Sequence, residues 1–185
     1  MHKHLIIVLL IGACATNLLS QSLTIESKEI TELLKKPDLN PDIKSYWNNT
    51  FKIDLDKKTF DFIDTLTHKN DKFFPLYFLT FNNLLSKSDG ALSESMGPYC
   101  LNMITNYPKE AISNFQTDST NLYLYSLFIG SELYFKDKGS SSIKMNYKEF
   151  KSFLVKHLNF YDNRTKSTFD AFFKKVDYFM KIQSQ

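Results

Sequence analysis

The side chains best suited to acid–base chemistry are two carboxylates and a histidine. Asp89 and Glu94 lie five residues apart at the start of a predicted helix over 90–106, and His157 follows on a later apolar stripe. Two carboxylates, or a carboxylate with a histidine, can act as general acid and base if folding brings them into one cleft. Helix capping by Asp89 and a solvated helix face at Glu94 explain the same residues without catalysis.

Two other patterns match only part of a functional motif. Ser141 and Lys144 have the Ser-x-x-Lys spacing, but its companion motifs are absent from the sequence. Asp54 and Asp56 could begin a calcium loop, yet Lys58 stands where an oxygen ligand is required. The chain also lacks an HExxH sequence and paired cysteines. The sequence therefore predicts neither a metal site nor a cofactor.

The elements that would position these residues follow an N-terminal leader. A short basic start is followed by the apolar run from Leu5 to Ile11 and then by small residues, which is the organisation of a secretory signal peptide. The apolar run is too short to span a bilayer, which needs roughly 20 residues, and no later segment is long enough without charge. We expect residues 1–20 to be a signal peptide and 21–185 to form a single all-helical domain outside the cytoplasm: in the periplasm, in the cell envelope or secreted.

Two processing routes for the leader remain open. Ala13 and Ala15 flank Cys14 as in a small-x-small site, which predicts cleavage after residue 15, with a later cut near residue 20 as a variant. The sequence Leu-Ile-Gly-Ala-Cys at 10–14 resembles a bacterial lipobox, and this resemblance implies lipidation of Cys14 as the first mature residue. Membrane anchoring is expected only by that second route.

Helix-period apolar stripes run through the rest of the chain and predict an all-α fold. Glycine is scarce, at 5 residues, which argues against an all-β fold. We expect about seven to eight helices with short connections, forming a bundle or a short α-solenoid of stacked hairpins. The centre should be the helical pair at 72–115, with a helix at 121–135 packed against it. Cys100, on an apolar stripe without a basic neighbour, should be a buried side chain and not a reactive thiol.

Capping residues predict where several helices begin. Asn40 precedes Pro41, Asp56 precedes a helix that should run to about Thr67, and Asn146 with Glu149 suits a capping box.

Other local features predict irregularities. Residues 51–56 alternate in polarity but have no partner strand, so we expect an extended lead-in with Leu55 stapled onto Phe60. Proline at 98 predicts a kink in the helix over 90–106. The last helix is expected to begin near Ser167, after a turn at 163–167.

The surplus of aromatic residues, 17 Phe and 10 Tyr, can fill a core and also line a binding groove. Since tyrosine and tryptophan favour interfaces, the binding candidates are Trp47, Tyr99, Tyr123 and Tyr125. A net charge of +3 with scattered lysines predicts no nucleic-acid partner. The sequence favours an exported, non-catalytic binding or interaction module of the cell envelope whose partner is another protein. The alternatives are an extracytoplasmic hydrolase with a carboxylate/histidine site near 90–106, or an inhibitor or immunity protein for an exported toxin.

Overall fold

The computed structural model describes residues 27–70, 72–139, 143–158, 160 and 162–184. The expected leader at 1–20, including Cys14, lies outside these residues. The described residues form ten α-helices and no β-strand, so the all-α prediction is confirmed. The helices are α1 (Ser27–Leu34), α2 (Pro41–Trp47), α3 (Lys57–Thr67), α4 (Phe74–Lys87), α5 (Gly90–Glu94), α6 (Met96–Asn106), α7 (Pro108–Phe115), α8 (Ser119–Asp137), α9 (Tyr147–His157) and α10 (Asn163–Ile182).

Three of the helix starts follow the capping pattern of the sequence. The side chain of Asn40 accepts from the amide of Asp42 at the start of α2. Asp56 accepts from the amide of Thr59 at the start of α3. At α9, Asn146 and Glu149 form both hydrogen bonds of a capping box. In each case the side chain satisfies an amide that has no acceptor within its own helix.

The expected kinked helix over 90–106 is instead two helices. The break lies at Ser95, so Pro98 falls in the first turn of α6. A proline there costs no intrahelical hydrogen bond, because the first amides of a helix have no partner within it. This separate short helix α5 partly explains why the described residues contain more helices than the seven to eight expected.

Two further expectations about helix starts were wrong. The last helix begins at Asn163 and not near Ser167, because both carboxylate oxygens of Asp162 accept backbone amides of that first turn. Leu55 does not staple onto Phe60, since its side chain is 60% exposed. Phe51, only 9% exposed, turns inward from the same lead-in and lies with its ring centroid 4.5 Å from that of Phe62.

The centre of the packing is α8 and not the helical pair at 72–115. Helix α8 contacts α4, α6, α7 and α10, with its broadest contact along α10. The expected packing of this helix against α4 is present. The reason lies in the sequence of α8, which has apolar residues on most sides and therefore can bury several faces at once.

The main helix pairs have defined directions. Ser126 lies near Phe172, and Ser131 accepts from Gln183, so α8 and α10 run parallel. Gly97, at the start of α6, lies against Glu132 near the end of α8, so these two helices run antiparallel. Because α9 returns the chain between α8 and α10, both long helices begin at the same end of the molecule.

Two glycines allow α8 to approach its neighbours closely. A Cβ at Gly97 would lie 2.7 Å from Cβ of Glu132, and one at Gly130 would lie 2.9 Å from the carbonyl oxygen of Val176 in α10. Real Cβ atoms are not found this close to other heavy atoms, so any side chain at either position would push the helices apart. Glycine thus sets the spacing of α6, α8 and α10.

Buried apolar side chains form one cluster from Leu39 to Val176. Its centre contains the rings of Phe115, Tyr125 and Phe172, with centroids 5.1 Å and 5.5 Å apart in the two pairs that Phe115 makes. Cys100 has no exposed surface and burial raises the pKa of its thiol, which confirms the expectation of a buried, unreactive side chain. Within the described part of the chain, no helix combines the length and the apolarity needed to cross a membrane.

Candidate functional site

Exposed apolar side chains gather on one side of the molecule. Six large hydrophobic side chains are exposed among the described residues, and four of them lie on α8 and α10. These four are Tyr123, Phe135, Tyr178 and Ile182. Clustering of this kind marks interaction surfaces, whereas exposed apolar residues scattered singly are ordinary.

Because α8 and α10 pack along one another, we group these four side chains, with Leu127 and Phe179, as the α8/α10 face. On α8, Tyr123 and Leu127 are one turn apart on the same side, and Phe135 lies two turns further along the same i+4 ridge, which winds gradually around the helix; the ridge is about 18 Å long at 1.5 Å per residue. On α10, Phe179 joins the two helices, because its ring centroid lies 5.4 Å from that of Tyr123 and 5.3 Å from that of Tyr178. The amine of Lys175 lies 5.6 Å from the centre of the Tyr123 ring.

One end of this face opens into a groove of about 400 Å³. Its apolar walls are Leu127, Phe128 and Phe135 of α8, and Gly97 of α6 lies on the opposite side. We call it the acidic groove, because Glu94 and Glu132 both line it. Its remaining lining residues are Ser93, Ser131 and Gln183. The close approach at Gly97 holds the two carboxylate-bearing segments together.

The acidic groove contains one of the three predicted catalytic residues. Glu94 lines the acidic groove, but neither Asp89 nor His157 does. Asp89 is exposed at the start of α5 and makes no side-chain cap bond. His157 is exposed at the end of α9, where its Nδ1 donates to the carbonyl oxygen of Phe153 at 2.8 Å and its ring stacks on the Phe153 ring.

The four predicted binding residues lie in different environments. Tyr125 is fully buried, and its hydroxyl donates to Oδ1 of Asn82 at 2.9 Å, so it is a core residue. Tyr99 is half-buried on α6, and burial is the main cause of its raised pKa. Tyr123 is 46% exposed on the α8/α10 face. Trp47 is half-buried and lines a separate groove.

Sequence reasoning missed Tyr178 and Phe135, which contribute much of the α8/α10 face. The apolar stripe of α10 runs through Phe172, Val176 and Met180, which leaves Tyr178 on the opposite, charged side. A large aromatic residue away from the stripe of an amphipathic helix is a usable signal, because burial in the core does not explain it.

The groove around Trp47, which we call the aromatic groove, is lined by α2, the lead-in to α3, the end of α4 and α5, and its volume is about 520 Å³. Tyr46, Trp47, Phe51, Ile53, Leu84 and Leu92 supply its apolar lining, and Asn49, Asn83 and Lys87 its polar lining. The indole Nε1 of Trp47 donates to Oγ1 of Thr80 at 2.9 Å, and the hydroxyl of Tyr46 donates to Oδ1 of Asn83 at 2.7 Å. Both aromatic side chains are therefore held in fixed orientations.

A third groove lies beside the start of α9. Tyr147 and Asp177 line it, and their hydrogen bond adds to the effect of burial, which is the main cause of the raised pKa of Tyr147.

No group of three or more potential metal ligands occurs within the ranges that the structure describes. Comparison with protein-family models, with curated proteins and with solved structures finds no match to this chain.

Proposed function

We propose that the protein is an exported, non-catalytic module that binds another protein of the cell envelope through the α8/α10 face. The observation that carries this proposal is the concentration of exposed Tyr123, Phe135, Tyr178 and Ile182 on two parallel helices. Side chains of this type in one patch supply the apolar, partly aromatic centre that protein interfaces require.

The geometry favours a helix as the partner's binding element. Helices α8 and α10 present a long apolar stripe, and an amphipathic helix can lay its own apolar residues along such a surface. The acidic groove at one end, where Glu94 is exposed, complements a lysine or arginine on the partner. The proposed occupant is therefore an amphipathic helix with a basic residue at one end of its apolar stripe.

We infer further that the helices form a short α-solenoid of stacked hairpins. In support, the α3–α4 hairpin lies beside the α6–α8 pair, with α3 on α6 and α4 on α8, and α8 then packs on α10. Arrays of this kind leave extended surfaces open to partners, because each unit is covered only by its neighbours.

The location outside the cytoplasm rests on the leader sequence alone. The signal-peptide pattern at 1–20 supports export by either processing route, and the proposed partner then lies in the periplasm, in the envelope or outside the cell. If Cys14 is lipidated, binding would take place at a membrane surface.

The binding proposal is tested by photo-crosslinking in the native host. p-Benzoylphenylalanine is placed at Tyr178, at Phe135 and, as a control, at exposed Lys109 of α7. We expect the two face positions to give the same protein adduct and the control position to give none. Adding Tyr123→Ser and Ile182→Ser to the Phe135 probe should abolish that adduct, with an unchanged unfolding midpoint showing that the fold is intact.

Equal labelling at all three positions would contradict the proposal. An adduct of twice the chain mass would identify a second copy as the occupant in place of a different protein.

The two alternative functions can be distinguished from this proposal by the identity of the crosslinked protein and by a substitution at Glu94. An exported toxin as the crosslinked partner would make the chain an inhibitor or immunity protein that uses the same face. A hydrolase would have to work from Glu94 and Glu132, since Asp89 and His157 do not line their groove. Glu94→Gln would then abolish turnover of the substrate, whereas in a binding module it only weakens attachment of a basic partner.

A further inference from the structure

We propose that the aromatic groove binds a small carboxylate with an aromatic body. This site is independent of the α8/α10 face, because the two surfaces share no lining residue. The proposal rests on the shape of the groove, on its fixed rings and on the single charge in its lining.

The volume and lining of the groove fit a small molecule. Small-molecule sites commonly measure about 300–1,000 Å³ and combine apolar or aromatic walls with a few polar groups. The aromatic groove has about 520 Å³, with the buried side chains of Phe51, Leu84 and Leu92 inside and the amides of Asn49 and Asn83 in its lining. Asn49 has a positive φ of 57°, so its backbone is held in a left-handed conformation beside the groove.

The aromatic walls are ordered before any ligand arrives. Thr80 accepts from the indole of Trp47, and Asn83 accepts from the hydroxyl of Tyr46. Fixed orientations lower the entropy cost of binding a flat ligand, since the rings do not have to be ordered on contact. Aromatic pairs also gain from offset or edge-to-face stacking beyond the area they bury. An aromatic ligand body therefore fits these walls better than a hydrated polar one.

The charge of the groove selects an anion. Lys87 is the only ionisable lysine, arginine, aspartate or glutamate in its lining, and it forms no ion pair with another described residue. Its amine is exposed at the end of α4, where it can reach a carboxylate on a ligand lying against Trp47. A single cation in the lining of an apolar groove complements a ligand with one negative charge.

The test uses a matched pair of probes, indole-3-acetate and its neutral amide, indole-3-acetamide. Trp47 is the single tryptophan of the chain, so its indole N–H gives one signal in a ¹H–¹⁵N correlation spectrum. We expect indole-3-acetate to shift this signal and the amides of Asn49 and Lys87 saturably. Indole-3-acetate should bind more tightly than indole-3-acetamide, and added salt should reduce the difference between their dissociation constants.

Three variants separate charge from shape. Lys87→Gln should raise the dissociation constant of indole-3-acetate by about threefold to fivefold, as expected for loss of an exposed ion pair. The dissociation constant of indole-3-acetamide should not change. Asn83→Asp adds a negative charge but keeps the hydrogen-bond acceptor for Tyr46. It should weaken the binding of indole-3-acetate and not that of indole-3-acetamide. Lys109→Gln, an exposed lysine of α7, should change neither affinity.

Two results would overturn the proposal. One is the absence of a saturable shift of the Trp47 signal, and the other is an equal loss of affinity for both probes in Lys87→Gln.

Discussion

The hydroxyl of Tyr125 is one of the few polar atoms at the centre of the core. It donates to the side-chain oxygen of Asn82 at 2.9 Å, and both residues are buried. Burial raises the pKa of Tyr125 well above its ordinary value, so the hydroxyl stays protonated and remains a donor. This hydrogen bond joins α8 to α4 inside the core.

Tyr125→Phe should therefore destabilise the fold by about 1–3 kcal/mol, since Asn82 would keep a buried acceptor without its donor. Urea unfolding followed by circular dichroism measures the change. Tyr123→Phe on the same helix is the matched control and should stay within about 0.5 kcal/mol of the parent, because that side chain is largely exposed. An equal loss of unfolding free energy in both variants would show that the buried hydrogen bond is not the cause of the destabilisation.

At the scale of the helix, glycine positions decide how closely the elements pack. A glycine inside an exposed helix is normally destabilising, and its change to alanine gains roughly 1 kcal/mol of helix propensity. Gly130 lies against Val176 and Phe179 of α10 at distances that leave no room for a Cβ. The tertiary contact outweighs the local preference here, because the neighbouring atoms include a backbone carbonyl that cannot rotate away.

Gly130→Ala is accordingly expected to lower the free energy of unfolding by about 1–3 kcal/mol, as overpacking does. The measurement is the shift of the urea midpoint at constant slope. Thr120→Ala, at an exposed position near the start of α8, provides the control, since it changes the helix without adding an atom toward α10. A more stable Gly130→Ala variant would mean that α10 can move away at little cost.

The cap of α10 makes its stability depend on pH. Hydrogen bonds from the amides of Arg164 and Thr165 and from the Thr165 hydroxyl hold the pKa of Asp162 below its usual range. The folded-state pKa is thus lower than the unfolded one, and the contribution to stability is present above the unfolded value near 3.9 and lost as pH falls through the folded value.

Asp162→Asn should therefore be less stable than the parent at pH 6, and the difference should shrink as the pH is lowered below about 4. Paired urea titrations at several pH values follow this convergence. Asp170→Asn, an exposed carboxylate in the middle of α10, should not reproduce it. A difference that persists unchanged at low pH would assign the effect of Asp162 to geometry and not to charge.

At the scale of the whole molecule, the signal-peptide pattern at 1–20 leads to a prediction about where the protein is located. We expect the intact mass of the native protein to show a chain beginning at Thr16 or Gln21 in the soluble fraction, or at Cys14 with added acyl chains in the membrane fraction. Cys14→Ser is the control, because it prevents lipidation and keeps a small residue within the site for cleavage after residue 15. An unprocessed chain starting at Met1 in the cytoplasm would contradict export.

Much of the helical pattern was available from the sequence. Asn40, Asp56 and the pair Asn146–Glu149 marked three helix starts correctly, because a cap depends on side chains within one turn of the amide they satisfy. The start of α10 was missed, since Asp162 and the residues after it also resemble a turn. The break at Ser95 was predicted instead as a kink at Pro98, three residues later, for a related reason: a proline fits the first turn of a helix as well as a kink.

The candidate sites were less accessible from the sequence. Trp47 and Tyr123 were named among aromatic residues suited to binding, and both line surfaces, whereas Tyr125 was named on the same grounds and is buried. Residue type and local spacing do not separate these two tyrosines, because α8 is apolar on most sides and its burial depends on which neighbours cover it.

The sequence by itself determined the all-α class, most helix positions, the buried state of Cys100 and the signal-peptide pattern at the N-terminus. Periodicity, capping and composition are local properties, and they act within a few turns of the chain. Only the tertiary structure decided that α8 is the centre, that Glu94 and Glu132 line one groove beside Gly97, and that Tyr123 and Tyr178 both lie against Phe179. Such juxtapositions arise from packing between residues far apart in the chain, and their stabilisation depends on the fit of whole helices.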